Sequence, residues 1–540
     1  MTLTRQSAFF EAALTTRHHD LTGHGAWSDK STQDYFIFVS SFGTVKLRKR
    51  HAYPATFARS IGPSLIFGYG NETLGHMIAE QALSNVSEDA FVSEEFLYCT
   101  IDCQQQSIVV QRDAVCTMPL FTMEHSDVIA LSNRYDQLFN QIDKRQVHIN
   151  QAALVNYLLF DDRHNQLATG ADVLYDRVRF ILRDGATHVT YPNHAYIAEK
   201  TQEKGHPRFF KEALETTLDT YWERYDTIGF QLSGGLDSAT APGYFASQGK
   251  TVVAASFGLP ATMGERQRAK LDDMARRFSS LQNHIINLTP EEYFPFSDRI
   301  TANHWGISHE YQDIHQLAAM QMADYFSRQG ITAMFTGVGG DELCQNITND
   351  KIFPFGSAVK EARATAVVPQ YMTDKFKILH TKTQEQTPHH QDRPIPTVAY
   401  SVILTNIGFN NTFIDRNVWP VAPLSDPKLF LYAQSIPAWY RHDKGLLRAY
   451  QFARQFPPSI VYPETLEDFS EFLHFCKPQV CSLLDSFFDV SLLGQHDLID
   501  ESSFKDYYTH ATRSKYDDSD TRILELIRLL AVEINLRMFQ

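Results

Sequence analysis

The sequence predicts an α/β protein in two parts: a β-rich α+β domain, then a doubly wound parallel sheet with a helical C-terminal part. Short apolar strands separated by turn residues dominate the first two hundred positions, at roughly the spacing of β-rich domains. From about residue 212 strands and helices alternate, and helical patterns dominate the rest of the chain. Alternating strands and helices imply a parallel sheet with right-handed crossovers.

The β-rich part contains five segments typical of strands, bounded by turn residues such as Asp184-Gly185. They are Tyr35–Ser40, Phe96–Ile101, Ser107–Asp113, Val173–Leu182 and Thr187–Tyr191. Tyr35–Ser40 is interpreted as the first strand of the chain. The polar segment Glu199–Pro207 is interpreted as a linker, which divides the chain into domains over residues 1–205 and 206–540.

The second part alternates in a regular order. The predicted helices are Glu212–Arg224, Ser238–Ser247, Glu265–Ser279 and Gln312–Arg328, and the predicted strands are Thr227–Leu232, Thr251–Phe257, His284–Leu288 and Ile331–Thr336. Parallel sheets of this kind bind ligands at the carboxyl ends of their strands. Two glycine-rich loops follow two of these strands, so both are expected at that edge.

Composition excludes several classes of protein. The chain has 540 residues with 43% hydrophobic content and a formal net charge of −14. This acidic balance argues against a large nucleic-acid footprint, which requires clustered Lys and Arg. No apolar run is long enough to span a bilayer, and no signal-like apolar block follows Met1. We therefore expect a cytoplasmic protein.

Six cysteines are spread along the chain: Cys99, Cys103, Cys116, Cys344, Cys476 and Cys481. In a chain of this length they do not form a disulfide framework. Cys99 and Cys103 are four positions apart, but no second Cys/His pair at zinc-like spacing accompanies them. Buried free thiols are therefore predicted rather than a zinc site.

The first loop, Ser233-Gly234-Gly235-Leu236-Asp237-Ser238, leaves a predicted strand and enters a predicted helix. Adjacent glycines allow close approach of a ligand to the backbone, and the N–H groups at a helix start suit a phosphate. The two serine hydroxyls can donate hydrogen bonds. Asp237 would repel phosphate unless a Mg²⁺ ion bridges the two. A tight turn without a ligand is the alternative interpretation.

This six-residue string resembles the pyrophosphate loop of the N-type ATP pyrophosphatases, a family that cleaves ATP between the α and β phosphates. The second loop, Thr336–Glu342, resembles the Gly-x-Gly-x-Asp turn of the asparagine-synthetase branch. The resemblance implies that Asp237 and Asp341 share Mg²⁺, and that Gly337, Gly339 and Gly340 belong to the nucleotide site. ATP and Mg²⁺ are the implied cofactors.

Further similarity implies further site residues. Ala254, Ser256 and Phe257 match the strand that lines the adenine pocket in this family. The order Trp419–Asp426, Ser435–Pro437 and Lys444–Arg448 matches a family pattern whose lysine contacts the phosphates, so Lys444 is implied in that role.

The N-terminal part is similar to the glutaminase (Ntn-type) domain of asparagine synthetases. The segments that carry this similarity are Val110–Asp113, Pro119-Leu120 and Ala130–Asn133. With them, the similarity extends over nearly the whole chain.

Three departures narrow the expected function. The glutaminase nucleophile is an N-terminal cysteine, whereas this chain begins Met1-Thr2, and Thr2 is interpreted as too far from the first strand to replace it. Val338 stands where relatives carry a residue able to move a proton. A second family lysine is absent, because residues 445–476 contain no lysine.

These observations predict an ATP-dependent ligase that adenylates a carboxylate and couples it to an amine without glutamine. Gly337–Asn346 and Thr465–Ser470 resemble segments of lasso-peptide cyclases, which predicts macrolactam formation on a precursor peptide, with a leader-processing protease as a further partner. The alternatives are a β-lactam synthetase-like or other small-molecule amide synthetase, a tRNA-modifying pyrophosphatase, and a degenerate nucleotide-binding protein.

Overall fold

The computed structural model describes most of the chain in separate stretches. These are residues 10–15, 27–40, 43–61, 63–70, 95–105, 107–125, 128–139, 147–160, 167–174, 179–183, 186–190, 205–259, 261–287, 316–344, 367–386, 398–464, 477–487, 491–513 and 522–538. The predictions that concern Thr2, Gln345-Asn346, Cys476 and the segment 465–470 lie outside these residues.

Over its described residues, the N-terminal part is built from thirteen strands. They are β1 (Phe10–Thr15), β2 (Ser28–Asp29), β3 (Tyr35–Ser40), β4 (Gly43–Arg48), β5 (Ala55–Ile61), β6 (Ser64–Gly70), β7 (Leu97–Asp102), β8 (Ser107–Arg112), β9 (Phe121–His125), β10 (Val128–Ser132), β11 (Ala171–Val173), β12 (Arg179–Arg183) and β13 (Ala186–Thr190). Two helices, α1 (Tyr135–Leu138) and α2 (Gln151–Phe160), lie between β10 and β11.

The strands form two antiparallel sheets. In the described stretches one sheet has the order β11-β9-β10-β1-β4-β3-β2 and the other has the order β13-β12-β8-β7-β6-β5. Alternate side chains of β8 and β4 are buried, the pattern expected when one face of a sheet packs on a core. The β-rich character predicted for this part is confirmed, while the domain boundary at 205 stays a prediction.

The interpretation of Tyr35–Ser40 as the first strand is wrong. β1 precedes it and lies between β10 and β4, with Ala12 opposite both Leu131 and Val45. Its sequence, Phe-Glu-Ala-Ala-Leu-Thr, is rich in helix formers, but tertiary pairing overrides local propensity. Thr2 therefore precedes a central strand closely, and its distance from the first strand no longer argues against it as a nucleophile.

The predicted strand over Val173–Leu182 is also corrected. It divides into the end of β11 and most of β12, which belong to different sheets. The sequence prediction also did not identify β4, β5 and β6, whose Gly, Ser, Thr and Arg residues weaken the apolar signal, or the short strands β2, β9 and β10.

The second part contains the predicted parallel sheet. Its strands are β14 (Ile228–Gln231), β15 (Val252–Gly258), β16 (Leu281–Asn287), β17 (Ala333–Phe335) and β18 (Trp419–Val421). Over the described residues the order is β16-β15-β14-β17-β18, and all pairings are parallel. The order reverses direction between β14 and β17, so the two glycine-rich loops flank the point where doubly wound sheets bind ligands.

Helices surround this sheet and complete the C-terminal part. They are α3 (Phe210–Arg224), α4 (Leu236–Ser247), α5 (Ala261–Arg277), α6 (Gln316–Arg328), α7 (Gly340–Cys344), α8 (Asp374–Gln386), α9 (Tyr400–Ile414), α10 (Pro427–Ser435), α11 (Ala438–Arg441), α12 (Gly445–Ala453), α13 (Pro458–Val461), α14 (Lys477–Phe487), α15 (Leu492–Gln495), α16 (Glu501–Arg513) and α17 (Arg522–Met538). Among the described helices, none combines the length and apolar character that crossing a membrane requires. Over their described residues, the predicted helices and strands of residues 212–336 are confirmed with small shifts of their ends; residues 288 and 312–315 lie outside the described residues.

Buried polar contacts join the N-terminal sheets to the parallel sheet. The Arg50 guanidinium donates to the backbone oxygen of Thr332 at 3.0 Å and to that of Asn417 at 3.1 Å. Arg134 forms a buried ion pair with Asp415 at 2.7 Å. Because each of these groups would be costly to bury alone, the contacts fix the two parts against each other.

The cysteines behave as predicted where they are described. Cys99, Cys103, Cys116 and Cys344 are free and buried, and Cys481 is free and half-buried. Burial raises the pKa of the Cys99 thiol well above its usual range, so this thiol stays protonated at neutral pH.

Candidate active site

Both glycine-rich loops open into one cleft at the carboxyl edge of the parallel sheet. The first loop connects β14 to α4, and the second connects β17 to α7. Gly234 has φ +91° and Gly339 has φ +98°, a region that favours glycine. The cleft has a volume of about 650 Å³ and is lined by both loops and by Lys444. The structure therefore brings the sequence-predicted loops together.

The first loop is held in shape by its own two hydroxyls. The Ser233 and Ser238 Oγ atoms are 2.9 Å apart, and Ser238 Oγ accepts from the Ser233 N–H at 3.0 Å. Ser233 Oγ also accepts from the Gly235 N–H at 3.2 Å. Leu236 and Ser238 are buried, so they anchor the first turn of α4 beneath the loop.

The two loops are packed so closely that two positions admit only glycine. A Cβ on Gly340 would lie 2.3 Å from Asp237 Cγ, and a Cβ on Gly337 would lie 2.6 Å from the Ser238 nitrogen. Real Cβ atoms do not approach other heavy atoms this closely. The glycines of the second loop thus allow α7 to start directly beside Asp237.

This close approach places the two predicted carboxylates around a single cation. Lys444 Nζ lies 2.6 Å from Asp237 Oδ2 and 2.6 Å from Asp341 Oδ1. Asp341 is more than half exposed, while Asp237 is largely buried. Asp237, Asp341 and Lys444 come from three separate segments of the chain, so their convergence depends on the tertiary fold.

The electrostatics of this cluster follow from burial and from the neighbouring charges. Burial raises the pKa of Asp237 more than the Lys444 ammonium lowers it. Burial by itself would lower the pKa of Lys444, but Asp237 and Asp341 outweigh it and the net shift is upward. Lys444 is therefore protonated at neutral pH and is held electrostatically between the carboxylates.

The carboxylates fit a Mg²⁺ ion shared with phosphates. Asp237 Oδ1 is buried and has no hydrogen-bond partner among the described residues, although its other oxygen is paired. An unsatisfied carboxylate oxygen, together with a second carboxylate on the same cation, is a suitable donor set for a hard cation whose remaining ligands come from the substrate. In the described part of the chain no group of three or more His, Cys, Asp or Glu side chains could hold a metal ion unaided.

The predicted adenine-pocket residues have a different location. Ala254 and Ser256 are buried in β15. Ser256 Oγ donates to the Leu232 carbonyl. It also lies 3.0 Å from Asn283 Oδ1, to which it donates as well. Neither these residues nor Phe257 are among the described residues that line the cleft. Ser256 supports the strand that leads into the first loop, and the adenine contact stays a prediction.

Sequence reasoning missed two glutamines that hold the loops. Gln267 donates to the Ser233 carbonyl at 2.9 Å and accepts from the Leu259 N–H at 3.0 Å. Gln451 donates to the Leu236 carbonyl at 2.6 Å and to Thr240 Oγ1 at 2.9 Å. Both side chains are buried. The sequence signal that could have identified them is a polar residue within the apolar face of a predicted helix, because a buried polar group needs a hydrogen-bond partner.

Three charged residues of the cleft were also missed. Lys270 is largely buried on α5 and lines the cleft one helical turn after Gln267. Arg448 lines it as well and donates to the Asp443 carbonyl at 2.8 Å. Glu342 follows Asp341, accepts from Ser401 Oγ at 2.5 Å, and has a pKa raised by burial. Among the described residues that line it, the cleft thus has two cations besides Lys444.

Val338 lines the cleft where a proton-moving residue was expected. It is half-buried against the apolar core, and its carbonyl accepts from Ser425 Oγ at 3.0 Å. Asp426, next to Ser425, accepts from the N–H groups of Lys428 and Leu429 and so caps α10. The Trp419–Asp426 segment therefore supports the second loop through the hydrogen bond of Ser425.

Comparison with known protein families gives a match in the second part of the chain. Residues 210–351 match the family model described as asparagine synthase. No curated protein matches the chain. The matched region contains both glycine-rich loops, Asp237 and Asp341, and it ends before Lys444. Residues 210–351 of this chain are therefore similar to the asparagine synthase family.

Proposed function

We propose that the protein is an ATP-dependent ligase that adenylates a carboxylate, releases pyrophosphate, and couples the activated acyl group to an amine with release of AMP. The observation that carries this proposal is the convergence of Asp237 and Asp341 on one cation, at the point where two glycine-rich loops meet. The similarity of residues 210–351 to the asparagine synthase family supports an ATP-dependent ligase.

The chain's own groups have separable roles in this proposal. The first loop and the start of α4, a helix of 12 residues, would bind the phosphates through backbone N–H groups and the Ser233 and Ser238 hydroxyls. Asp237 and Asp341 would hold Mg²⁺, which when bound neutralises charge on the phosphates. Lys444 would stabilise the departing pyrophosphate as a charged donor, and Lys270 lies in the same cleft as a second cation.

Product analysis tests the reaction class. The protein is incubated with ATP, MgCl₂ and candidate carboxylates with paired amines, and the nucleotide products are separated. We expect AMP and pyrophosphate. ADP and inorganic phosphate would mean cleavage at the other bond and would reject the proposal.

We further propose that the amine does not come from glutamine. The first cysteine of the chain is Cys99, which is buried in β7. Glutamate release from glutamine should therefore stay at the background rate. Release that is abolished by Thr2→Ala would reject this part of the proposal, and the early position of β1 makes that variant the necessary control.

Macrolactam formation on a precursor peptide is the narrower proposal. It is supported by the resemblance of Gly337–Asn346 to the second loop of lasso-peptide cyclases. A leader-processing protease and a short precursor peptide encoded beside this protein would be its partners. The direct test is mass spectrometry of such a peptide after incubation with the protein and ATP, because ring closure lowers the peptide mass by one water. If the Asp341→Asn variant does not produce this mass change, ring closure depends on this cleft.

A protein that binds nucleotide without chemistry is the second candidate. It is favoured by Val338, an apolar side chain at the position expected to move a proton. This candidate predicts tight binding of ATP with Mg²⁺ and no pyrophosphate release with any substrate pair.

A further inference from the structure

Lys444 contacts both of the carboxylates that would hold the metal. Its ammonium nitrogen lies 2.6 Å from one oxygen of each carboxylate. Asp237 and Asp341 are also the residues that would hold a Mg²⁺ ion, which prefers carboxylate oxygens as ligands. The ammonium and the metal would therefore compete for the same pair of carboxylates.

The backbone that carries Lys444 is held in an unusual conformation. Asp443 has φ +50° and Lys444 has φ +56°, left-handed values that cost energy for residues with a Cβ. Arg448 donates to the Asp443 carbonyl at 2.8 Å and to Asp443 Oδ1 at 3.3 Å, which fixes this turn. The turn aims the lysine at the carboxylates, and the side chain can move by its own rotamers without moving the turn.

Charge then decides which ligand can displace the ammonium. With Lys444 in place, the two carboxylates already have a cation between them, so a free divalent ion must displace the ammonium against its attraction to both carboxylates. A polyphosphate changes the balance, because its oxygens accept the ammonium while also serving as ligands to the metal. Metal and polyphosphate should therefore bind together and not in succession.

We propose that Lys444 is a specificity-determining residue that makes this site accept a divalent metal only as its polyphosphate complex and exclude the free metal ion. The proposal rests on the proposed function, because it takes Asp237 and Asp341 as the metal ligands of an ATP site. It adds that the Lys444 ammonium competes with the metal for the two carboxylates, and it assigns the displacement of the ammonium to the phosphate chain.

Metal titration of the purified full chain tests this without a carboxylate or amine substrate. Mn²⁺ binding is followed by calorimetry and by the electron paramagnetic resonance signal of the free ion, with and without pyrophosphate. In the wild type, pyrophosphate should raise the affinity for Mn²⁺ by at least about tenfold. Pyrophosphate and ATP should show this effect, whereas AMP should not.

Lys444→Met isolates the lysine. Its affinity for free Mn²⁺ should rise by about tenfold or more, since the two carboxylates no longer have a cation between them. The enhancement by pyrophosphate should shrink in the same variant. Lys428→Met is the matched control, because Lys428 is exposed on α10, and it should behave like the wild type.

The outcomes separate the inference from the proposed function. Wild-type protein that binds free Mn²⁺ as tightly as Lys444→Met overturns the inference and leaves the ligase proposal intact. Failure of the wild type to bind pyrophosphate or ATP in the presence of Mn²⁺ overturns the proposed function. If Lys444→Met does not fold, the wild-type titrations alone decide, because tight binding of free Mn²⁺ by the wild type contradicts the exclusion.

Discussion

At the scale of single residues, the cleft depends on two carboxylates. Their mutual repulsion is offset only when a positive charge lies beside them. Asp237 is largely buried, and one of its oxygens lacks a protein partner among the described residues. Asp341 lies on the opposite loop and is more exposed. Removing either charge should impair the binding of metal and phosphate more than it impairs folding.

Asp237→Asn and Asp341→Asn should each lower pyrophosphate release by about 100-fold or more, since each removes a metal ligand of full charge. Circular dichroism and thermal unfolding should stay close to those of the wild type, because Asn keeps the side-chain shape. Near-normal release by both variants at limiting Mg²⁺ would contradict the assignment of the metal ligands.

Gly340→Ala should disrupt the same site through sterics. The added Cβ would lie 2.3 Å from Asp237 Cγ, so the carboxylate or the loop must shift. We expect a loss of about 1–3 kcal/mol in the free energy of unfolding and weaker pyrophosphate binding. Gly408→Ala is the control, because a Cβ there meets nothing within 4 Å; it should be neutral or slightly stabilising. Equal effects of Gly340→Ala and Gly408→Ala would contradict the close packing of the two glycine-rich loops.

At the scale of elements, α5 supports the phosphate loop from a distance in the sequence. Its Gln267 side chain joins the Ser233 carbonyl to the Leu259 N–H, with both distances near 3 Å. The same helix carries Lys270 into the cleft. This segment, which the sequence analysis predicts only as a helix, thus also positions the site.

Gln267→Leu should leave two buried backbone groups without partners, at a cost of about 1–3 kcal/mol in the free energy of unfolding. Because the Ser233 carbonyl is one of them, affinity for pyrophosphate should fall as well, as measured by calorimetry. Gln267→Glu, which can still accept from Leu259 but no longer donates to Ser233, should retain part of the stability. A variant with unchanged affinity would show that the loop keeps its shape without this contact.

Lys270→Met tests the second cation of the cleft. Removing one positive charge near the phosphates should weaken binding of ATP and pyrophosphate by about tenfold and leave AMP binding nearly unchanged. Lys377→Met on the exposed face of α8 is the matched control. Loss of AMP affinity to the same extent would indicate a general disturbance of the fold.

The sequence predicted the parallel sheet and both loops well because those signals are local. Ser233–Ser238 follows a short apolar strand, and Gly337–Asp341 follows another, so a reader of the sequence can place both at strand ends. Gln267, Lys270 and Gln451 could not be assigned in this way, since their roles arise from distant contacts. The strand β1 was missed because Ala and Leu favour helices locally, whereas its pairing partners lie far along the chain.

At the scale of the whole molecule, a buried carboxylate lies between the β-rich part and the parallel sheet. Glu95 accepts from the Tyr225 hydroxyl and from Trp419 Nε1 at 3.1 Å. Burial raises the pKa of Glu95 to about 7, against the lowering effect of these hydrogen bonds. In the unfolded chain Glu95 has the lower pKa of an ordinary glutamate, so between about pH 4.5 and 7 the folded state binds more protons.

The contribution of Glu95 to the free energy of unfolding should therefore fall as the pH rises from about 4.5 to 7. This loss should level off above pH 7. Glu95→Gln should remove that slope and raise the free energy of unfolding at pH 8 by up to about 3 kcal/mol relative to the wild type. Denaturant unfolding at pH 5 and pH 8 measures the difference. An equal effect of the substitution at both pH values would contradict a raised pKa.

The central place of β1 has a consequence for synthesis of the protein. On a ribosome, Phe10–Thr15 emerges before the strands that pair with it, and β4 (Gly43–Arg48) can pair with it soon afterwards. Its other neighbour, β10, ends at Ser132. The edge of β1 that pairs with β10 therefore stays unpaired until more than a hundred further residues have been translated. During that interval an unpaired strand edge is open to other chains, which makes nascent-chain chaperones a determinant of yield. Slowing translation across residues 50–130 should then increase aggregation during expression, without altering the stability of the finished protein.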